Sequence, residues 1–394
     1  MLSEMAQYKT IRDINLKNKR VLIRVDFNVE IKDDIIVDPE RIISSFPTIN
    51  YVLEKGGKPI LMSHLGRPIH YEPTMSLMLV GSFLEKRLRR KVLFAPESIG
   101  IRAERIVNTM KDGEVVLLEN LRFHPEEEQN NPRFVEELEK LCDVYIDDAF
   151  GTSHRKHAST YGVPLKCKEQ GKEVGIGFLM EKEIEMWKPI LEDKHNGILI
   201  VGGGKLKEKI SAVKELSKSF SKVIIGGVVA NVFLSAKEYE IKKSKVSEKN
   251  DNTNYIAMAR EILRSVINIR FPKKMVIAKL NGDKFTDRKT IALGDALPDD
   301  YVIVDCIPNE DDILDITRAR CVVWFGPMGI YEKGFLDGTK AIAKAMNENK
   351  NGHNIIGGGD LITAVEVKAK ISTGGGASIT LLRDRTLPAL DVLM

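Results

Sequence analysis

The sequence has little of what marks secreted, membrane-spanning or nucleic-acid-binding proteins. It has four cysteines in 394 residues, none in a CxxC pair or at zinc-binding spacing, which favours structural thiols in a reducing compartment. No apolar run approaches the ~20 residues of a membrane helix, and the N-terminus lacks a signal-peptide pattern. The 60 basic and 56 acidic residues give a net charge of +4, which is far from the strongly basic charge typical of nucleic-acid-binding proteins. We therefore expect a cytoplasmic protein that binds neither membranes nor nucleic acids.

Two common phosphate-binding fingerprints are also absent. The chain has neither GxxxxGK[ST], the loop of P-loop ATPases, nor GxGxxG, the dinucleotide-binding turn. Their absence counts against a P-loop ATPase and an ordinary NAD-dependent dehydrogenase. Hydrophobic residues make up 43% and charged residues 29%, a balance that argues for a globular protein. The length suggests two or three domains.

The sequence does contain a repeated alternation of short apolar strands, polar or glycine-rich turns and longer helical segments. This pattern is typical of parallel sheets flanked by helices. We predict an α/β fold of two Rossmann-like lobes, each a mainly parallel sheet with flanking helices, joined by a hinge helix near 181–191. The predicted strands are 20–25, 59–62, 92–94, 115–118, 144–146, 198–201, 223–225, 276–278, 322–324 and 354–356.

Strands in the first half end in charged and amide side chains. Arg67, Arg122 and Arg155 follow three separate predicted strands, His64 lies beside the first of these, and Arg41 opens the helix after strand 20–25. The arginine fork matches carboxylate and phosphate oxygens, and ligands bind at the carboxyl ends of parallel strands. These residues predict a receptor for a small polyanion. For any single arginine, a loose surface ion pair is the ordinary alternative.

Asp26 and Asn28 follow strand 20–25 at positions i and i+2, so they face the same side of an extended segment. Their side chains could accept hydrogen bonds from a substrate hydroxyl. A turn stabilised by the two side chains is the alternative.

Strands in the second half run into glycine instead. Lys205 and Lys209 follow one such run and share a helix face, where they could hold phosphate oxygens beside bare backbone amides. A tight turn with ordinary surface lysines is the alternative. Asp360 follows another run and could hold Mg²⁺ or serve as a helix N-cap. The glycine runs are 202–204, 226–227, 357–359 and 374–376.

Taken together and in order, these motifs resemble those of the phosphoglycerate kinase family. The resemblance extends over nearly the whole chain. The motifs that carry it are Arg24-Val25-Asp26-Phe27-Asn28, Ser63-His64-Leu65-Gly66-Arg67-Pro68, Glu119-Asn120-Leu121-Arg122-Phe123, Asp148-Ala149-Phe150-Gly151-Thr152, Gly177-Phe178-Leu179-Met180, Trp324-Phe325-Gly326-Pro327-Met328-Gly329 and Gly374-Gly375-Gly376.

The resemblance implies a kinase that reversibly transfers the acyl phosphate of 1,3-bisphosphoglycerate to MgADP, giving 3-phosphoglycerate and MgATP, in line and after lobe closure. It implies a triose-phosphate-binding lobe at 1–175, with 380–394 packing back on it, and a nucleotide-binding lobe at 176–379. It further implies a monomer, with Mg²⁺ bound alongside ADP or ATP. The alternatives are a relative acting on another small phosphorylated carboxylate or another nucleotide, and a non-catalytic binding protein of this fold.

The resemblance also assigns site residues. It implies catalytic roles for Arg41, Lys205, Lys209, Gly374 and Gly375. Substrate binding is expected at Asp26, Phe27, Asn28, Arg41, His64, Leu65, Gly66, Arg67, Arg122 and Arg155. Nucleotide binding is expected at Gly203, Gly204, Lys205, Lys209, Gly227, Glu332, Gly357, Gly358, Gly359, Asp360 and Leu361, with Asp360 as the Mg²⁺ ligand and Glu332 on the ribose.

Three residues on the nucleotide side depart from the family pattern. Phe325 stands where asparagine is usual, Ile307 where glycine is usual and Leu361 where threonine is usual. Each puts an apolar side chain at a polar or bare-backbone position, and a lost hydrogen bond costs ~1 kcal/mol. We therefore expect the nucleotide affinity or base preference to differ from the family norm. The substrate motifs are nearly intact, apart from Asp147 in place of asparagine.

Overall fold

The computed structural model describes residues 8–249 and 251–394, apart from the side chains of residues 359, 360 and 362. The described chain forms two compact units: the first extends to Glu185 and includes Asp384–Met394, and the second is Met186–Arg383. The sequence analysis placed these boundaries after residues 175 and 379. Residue 175 falls inside an edge strand of the first unit, so the sheet continues past it.

The first unit is built on a six-stranded sheet in the order β5-β6-β4-β1-β7-β8, in which all paired neighbours are parallel. Its central strands are buried on both faces, which explains their continuous Val, Ile and Leu runs. A separate antiparallel hairpin joins β2 to β3. The strands are β1 (Arg20–Val25), β2 (Ile31–Lys32), β3 (Ile35–Ile36), β4 (Lys58–Met62), β5 (Val92–Ala95), β6 (Val115–Leu118), β7 (Val144–Asp148) and β8 (Glu173–Ile176).

Helices cover this sheet and close a core that includes Val21, Ile23, Leu61 and Leu117. A π-helical turn at Ala158–Gly162 precedes α7. The helices are α1 (Glu40–Ile43), α2 (Phe46–Glu54), α3 (Met78–Leu88), α4 (Ile101–Thr109), α5 (Pro125–Glu128), α6 (Pro132–Glu139), α7 (Val163–Glu169) and α8 (Phe178–Asp193). Short 3₁₀ turns lie at Ile11–Asp13, Pro73–Met75, Leu121–Phe123 and Phe150–Thr152.

Helix α8 is continuous across the division between the two units. Its first turn is held by buried Asp148, whose Oδ1 accepts hydrogen bonds from the amides of Leu179 at 2.8 Å and Met180 at 3.3 Å. Pro189 lies inside the helix and has no N–H to donate to the preceding turn. The helix is therefore firmly capped at its start and weakened near its end.

The second unit contains a parallel sheet in the order β11-β10-β9-β15-β16-β17 and a smaller antiparallel sheet in the order β13-β12-β14. The prediction of strand 276–278 in the parallel sheet is wrong. This segment is the middle of β12, which turns back at Gly282 and Asp283 into an antiparallel hairpin. The strands are β9 (Ile198–Val201), β10 (Lys222–Ile225), β11 (Ile269–Arg270), β12 (Lys274–Asn281), β13 (Lys284–Ala292), β14 (Tyr301–Ile307), β15 (Cys321–Phe325), β16 (His353–Gly357) and β17 (Lys370–Ser372).

Helices of the second unit follow its strands as expected of an α/β fold. They are α9 (Leu206–Leu216), α10 (Gly227–Ala236), α11 (Tyr255–Ser265), α12 (Glu310–Arg318), α13 (Asp337–Glu348), α14 (Gly359–Ala364) and α15 (Gly375–Asp384). The 3₁₀ turns lie at Lys194–Asn196, Ser217–Ser219 and Tyr331–Lys333. No helix in the described part of the chain has the length and apolar character to cross a bilayer.

The last helix, α16 (Pro388–Leu393), belongs to the first unit. It packs against α7, and the amide of Ala389 donates a hydrogen bond to the carbonyl of Ser153 at 3.1 Å. Leu390 and Leu393 are buried there. The first unit is thus completed by residues from the far end of the chain.

Candidate active site

Four arginines of the first unit, together with His64, form what we call the arginine-rich edge: Arg24, Arg41, Arg122 and Arg155. Arg24 lies in β1, and the other three follow β3, β6 and β7. His64 follows β4 and is 3% exposed. Burial lowers the pKa of His64 well below its ordinary value, and the charges of all four arginines lower it further. The imidazole is therefore neutral amid a concentrated positive field.

Arg41 is linked to the end of β1 through Asp26. Its Nη1 lies 3.0 Å from Asp26 Oδ2, and Oδ1 of the same carboxylate accepts a hydrogen bond from the Asn28 amide at 3.2 Å. The Asn28 side chain in turn accepts a hydrogen bond from the Gly66 amide at 2.9 Å. The Asp26 side chain therefore makes the local contact of the turn that sequence analysis gave as an alternative, and the two side chains together join Arg41 to the loop after β4.

Arg122 and Arg155 share one acidic neighbour, Glu128. Arg122 Nε lies 3.2 Å and Arg155 Nη1 3.9 Å from the same Glu128 oxygen. Arg122 also donates from Nη1 to the carbonyl of Gly66 at 2.7 Å. Burial lowers the pKa of Arg122 to about 10, so it stays charged at neutral pH. A single carboxylate thus lies between two cations, of which Arg122 is buried and Arg155 is partly exposed.

The remaining predicted substrate residues differ in accessibility. Arg67 is exposed, and no hydrogen bond or ion pair joins it to the described residues. Phe27 and Leu65 have buried side chains. Their amides are engaged by Ser63 Oγ at 2.8 Å and Asn120 Oδ1 at 3.2 Å respectively. These two residues therefore shape the site from the core rather than offering side chains to a ligand.

Sequence reasoning missed several contributors to this edge. Arg24 belongs to the first family motif but was not predicted as a site residue, although an arginine inside an apolar strand is a usable signal of function. Glu127 and Glu128 follow Arg122 closely, and that acidic run was not connected with the arginines. Ser159 gave no signal, because it reaches Arg24 only through the fold.

The second unit contains a pocket of about 240 Å³, which we call the glycine-lined pocket. It brings together four predicted nucleotide residues, Gly203, Gly204, Gly227 and Glu332. Sequence analysis did not assign its other walls, which are Val228, Asn231, Lys245, Ile303, Val304, Asp305, Cys306, Pro327, Gly329, Ile330 and Tyr331. Buried Asp305 binds the amides of Cys306 and Gly338 at 2.9 and 3.1 Å, and burial raises its pKa to about 6.

Glycine is required at the floor of this pocket because chain segments approach closely. Gly227 has φ of +55°, and a Cβ there would lie 2.7 Å from the amide nitrogen of Gly203. Gly203 in turn donates from its amide to the carbonyl of Pro327 at 2.7 Å. An added methyl group would therefore meet rigid backbone on a conformation that L residues avoid.

Lys205 and Lys209 lie at the start of α9, outside the pocket lining. Lys205 is the exposed residue that precedes the helix, and Lys209 is half-buried with its Nζ 5.1 Å from the centre of the Phe325 ring. Phe325 pairs in register with Gly357, and a Cβ on Gly357 would lie 2.5 Å from that ring. The ring thus fills the space beside Gly357 and carries the Lys209 ammonium on its face, a favourable arrangement.

The other predicted nucleotide residues lie at two helix starts, also outside the pocket lining. Gly357 ends β16, and Gly358 has φ of +101° with open space beside it. Gly359 and Asp360 open α14, but the side chain of Asp360 lies outside the described residues. Leu361 is buried. Gly374 and Gly375 open α15, where the Gly374 amide donates to Ser372 Oγ at 3.2 Å.

The ionisable side chains do not form a preformed metal cluster. Among the residues that the structure describes, no group of three or more His, Cys, Asp and Glu side chains is arranged to hold a metal ion.

Comparison with known proteins gives a consistent result. The family model described as phosphoglycerate kinase matches residues 11–385. The phosphoglycerate kinase of Dictyoglomus turgidum is 41% identical over 97% of both chains, and that of Moorella thermoacetica is 40% identical over 98% of both. The crystal structure of phosphoglycerate kinase from Pyrococcus horikoshii covers 98% of both chains, with a TM-score of 0.82 and 30% identity. The match therefore extends over sequence and fold alike.

Proposed function

The chain belongs to the phosphoglycerate kinase family, and from that premise we propose that its arginine-rich edge binds 3-phosphoglycerate and 1,3-bisphosphoglycerate, while its second unit binds ADP and ATP. It is a glycolytic phosphotransferase with a carboxyl group as acceptor. The reaction is the reversible transfer of the acyl phosphate of 1,3-bisphosphoglycerate to ADP. The comparisons give no support to a different acid or to a non-catalytic role.

The observation that carries this proposal is the set of four arginines whose positive charges act on the buried, neutral imidazole of His64, with Arg24 Nη2 3.2 Å from its Nδ1. A small acid with two anionic ends fits such a field, because arginine forks bind phosphate and carboxylate oxygens in pairs. Arg122, Arg155 and exposed Arg67 are proposed to hold the distal phosphate. Asp26 and Asn28 are proposed to hold the glycerate backbone.

Phosphoryl transfer requires the protein to position the reactants and to supply positive charge that stabilises the transferring group. Arg41, fixed by Asp26, is proposed to supply that charge from the substrate side. Lys205, Lys209 and the amides of Gly374 and Gly375 are proposed to supply it from the nucleotide side. Glu332 lines the pocket and is proposed to bind the ribose.

A Mg²⁺ ion would arrive with the nucleotide and neutralise phosphate charge. We assign its protein contact to Asp360. The start of α14 fits such a complex because nothing lies within 4 Å of the position that a Cβ on Gly358 would take, so the loop has room for phosphate oxygens. Gly357, Gly359 and Leu361 complete the proposed nucleotide loop.

Direct transfer requires the acyl phosphate and the nucleotide to meet with water excluded. We therefore propose that the lobes close about α8, which is continuous between the two units. The cap at Asp148 and the missing hydrogen bond at Pro189 support a helix with one fixed and one yielding end.

The first experiment is a coupled assay with 3-phosphoglycerate, Mg²⁺ and ATP, read as NADH loss through glyceraldehyde-3-phosphate dehydrogenase. We expect turnover with ATP that is lost in Arg41→Ala. GTP is run in parallel because Phe325, Leu361 and Ile307 depart from the family pattern. Turnover with GTP alone would keep the reaction and change the nucleotide, whereas no turnover with either would reject the proposal.

A cytoplasmic monomer is the proposed working form. Four free, buried cysteines support a reducing setting, and the glycolytic reaction supports the same compartment. Light scattering after gel filtration should give the mass of one 44.2 kDa chain. A mass twice as large would contradict the monomer.

A further inference from the structure

Arg24 is buried in β1, where it is 1% exposed, and its guanidinium makes contacts with three groups. Its Nε donates to Ser159 Oγ at 2.8 Å, its Nη1 donates to the carbonyl of Val25, and its Nη2 lies 3.2 Å from Nδ1 of His64. A guanidinium has donors only and stays protonated. The His64 contact therefore needs an unprotonated Nδ1 as acceptor, which puts the single ring proton of the neutral imidazole on Nε2.

The surroundings of His64 keep the ring neutral. The charged groups that act on it are Arg24 from β1, Arg122 from the turn after β6, Arg155 from the segment after β7 and Arg41 from α1. Burial comes first among the causes that lower the pKa of His64, and all four cations add to it. A second proton on the ring would also remove the acceptor that Arg24 uses. Both effects favour one protonation state and one tautomer.

Ser159 links Arg24 to a buried carboxylate on α5. The Ser159 hydroxyl donates to Glu127 Oε1 at 2.5 Å, and the Ser159 amide donates to Oε2 at 2.9 Å. Because its one hydroxyl proton goes to Glu127, the Ser159 oxygen is left with lone pairs for Arg24 Nε. Glu127 is 1% exposed, with His157 Nδ1 4.0 Å from its Oε1. The direction of every hydrogen bond from Glu127 to His64 is thus fixed.

We propose that Ser159 and Glu127 are positioning residues for His64, acting through Arg24 to hold the imidazole as its Nε2–H tautomer, a neutral hydrogen-bond donor to an oxygen of the bound substrate. The inference rests on the proposed function, which places His64 in the substrate site. A neutral N–H adds a hydrogen bond to an anion without adding a fifth cation to the cluster. The opposite tautomer would turn a lone pair toward the anion and repel it.

Ser159→Ala is the variant that tests this, because it removes the hydroxyl and leaves the backbone contact. Ring ¹⁵N spectra of His64, recorded at pH 7 without substrate, should show Nε2–H alone in the native chain and a mixture of tautomers in the variant. The KM for 3-phosphoglycerate should rise about twofold to threefold, because only the fraction of His64 that keeps the Nε2–H tautomer binds the substrate. The kcat should change little, because the contact serves ground and transition states alike.

Two further variants separate positioning from general damage. Ser159→Thr keeps the hydroxyl and should restore both the spectrum and the KM. Ser98→Ala is the matched control, since Ser98 is also a buried serine of the first unit but its Oγ has no hydrogen-bond partner among the described residues. It should leave His64 unchanged. Glu127→Gln replaces one of the two acceptor oxygens by an NH₂ donor, so it cannot accept both Ser159 hydrogen bonds and should shift the tautomer in the same direction as Ser159→Ala.

A folded Ser159→Ala protein with pure Nε2–H and native KM would overturn the inference. A mixed tautomer with native KM would also overturn it, because His64 would then not bind substrate. Neither result would touch the reaction itself, since failure of the proposed function would show as absent turnover in the native chain.

Discussion

The arginine-rich edge depends on side chains, whereas the glycine-lined pocket depends on close approach of the backbone. At the edge, long side chains are brought together and held by carboxylates, as Asp26 holds Arg41 and Glu128 holds Arg122. In the pocket, the close contacts are between backbone atoms, as between Gly203 and Gly227. The first site is therefore expected to fail when atoms are removed, and the second when atoms are added.

The two sites also place their charge differently. Arg24, Arg122 and His64 are buried before any ligand is bound, so their desolvation is already part of the fold. Lys205 is exposed and Lys209 only half-buried. The arginine-rich edge consequently has ionisable groups in the interior, whereas the two lysines at the start of α9 lie nearer to solvent.

The largest expected effect comes from removing atoms at the edge. Arg122→Met should lower kcat/KM for 3-phosphoglycerate by about 10³-fold, because Arg122 is buried and removing its charged hydrogen bond to the substrate phosphate costs roughly 2–5 kcal/mol. The dissociation constant for MgADP should not change. Arg102→Met is the matched control, since Arg102 also pairs with a glutamate in the first unit but is 70% exposed. A loss under tenfold for Arg122→Met would break the comparison.

The next largest effect comes from adding one carbon to the pocket. Gly227→Ala should weaken MgADP binding by about 30-fold to 100-fold, because strain and overpacking each cost roughly 1–3 kcal/mol. Affinity for 3-phosphoglycerate, measured by calorimetry, should be unaffected.

Gly282→Ala separates backbone strain from steric clash. Gly282 has φ of +60° but nothing within 4 Å of the position that an added Cβ would take, so this control adds strain alone. It should lower the free energy of unfolding without weakening nucleotide binding. Equal losses of MgADP affinity in the two variants would show that close backbone approach does not matter.

Titration of Asp148 tests the buried charge of the first unit. Burial raises the pKa of Asp148 to about 7, above its ordinary 3.8, so the folded state binds this proton more tightly than the unfolded state. The resulting stabilisation is full below the unfolded pKa and is lost as the pH rises through about 7. Each unit of pH between those values costs about 1.4 kcal/mol.

Asp148→Asn removes that titration, so its free energy of unfolding relative to the native chain should rise by about 1.4 kcal/mol per unit from pH 5 to 7. Urea unfolding at three pH values measures the slope. Asp143→Asn is the control: partial burial acts to raise the pKa of Asp143, but its hydrogen bonds with Arg20 outweigh that burial and lower the pKa, so it stays ionised over this range. The same slope in both variants would contradict the assignment to Asp148.

The smallest expected effect comes from removing atoms in the second unit, whose site is otherwise expected to fail when atoms are added. Phe325→Leu removes the ring beneath Lys209 and should weaken MgADP binding about threefold, because an exposed cation–π contact is worth about 0.5–1 kcal/mol. Phe325→Tyr keeps the ring and should bind normally. Adenosine has no phosphate and should bind both variants as it binds the native chain. Equal weakening of adenosine would place the effect in packing rather than at Lys209.

Much of the fold could be predicted because buried parallel strands have continuous apolar sequences. The bounds of β1, β6 and β9 are those predicted, and the α/β class is confirmed. The antiparallel sheet was missed because β13 is mostly exposed and polar, with no apolar run or clean alternation. The predicted lobe boundary at residue 175 lies within the edge strand β8.

Sequence alone could predict only those site residues whose type and position are informative one at a time. Arginines at strand ends and glycines after strands could be identified from position alone. Their partners could not, because Arg24 and Ser159 are 135 residues apart and meet only in the folded chain. Packing likewise decides that Phe27 and Leu65 turn inward and that Phe325 lies beneath Lys209.

Because α16 belongs to the first unit, that unit cannot be completed until the end of the chain has been translated. Its residues leave the ribosome after the whole of Met186–Arg383, so the surface of α7 that receives Leu390 and Leu393 stays uncovered while the second unit is synthesised. The unit translated first is thus the last to be finished. While the second unit is synthesised, the first unit therefore lacks the helix that buries Leu390 and Leu393 against it.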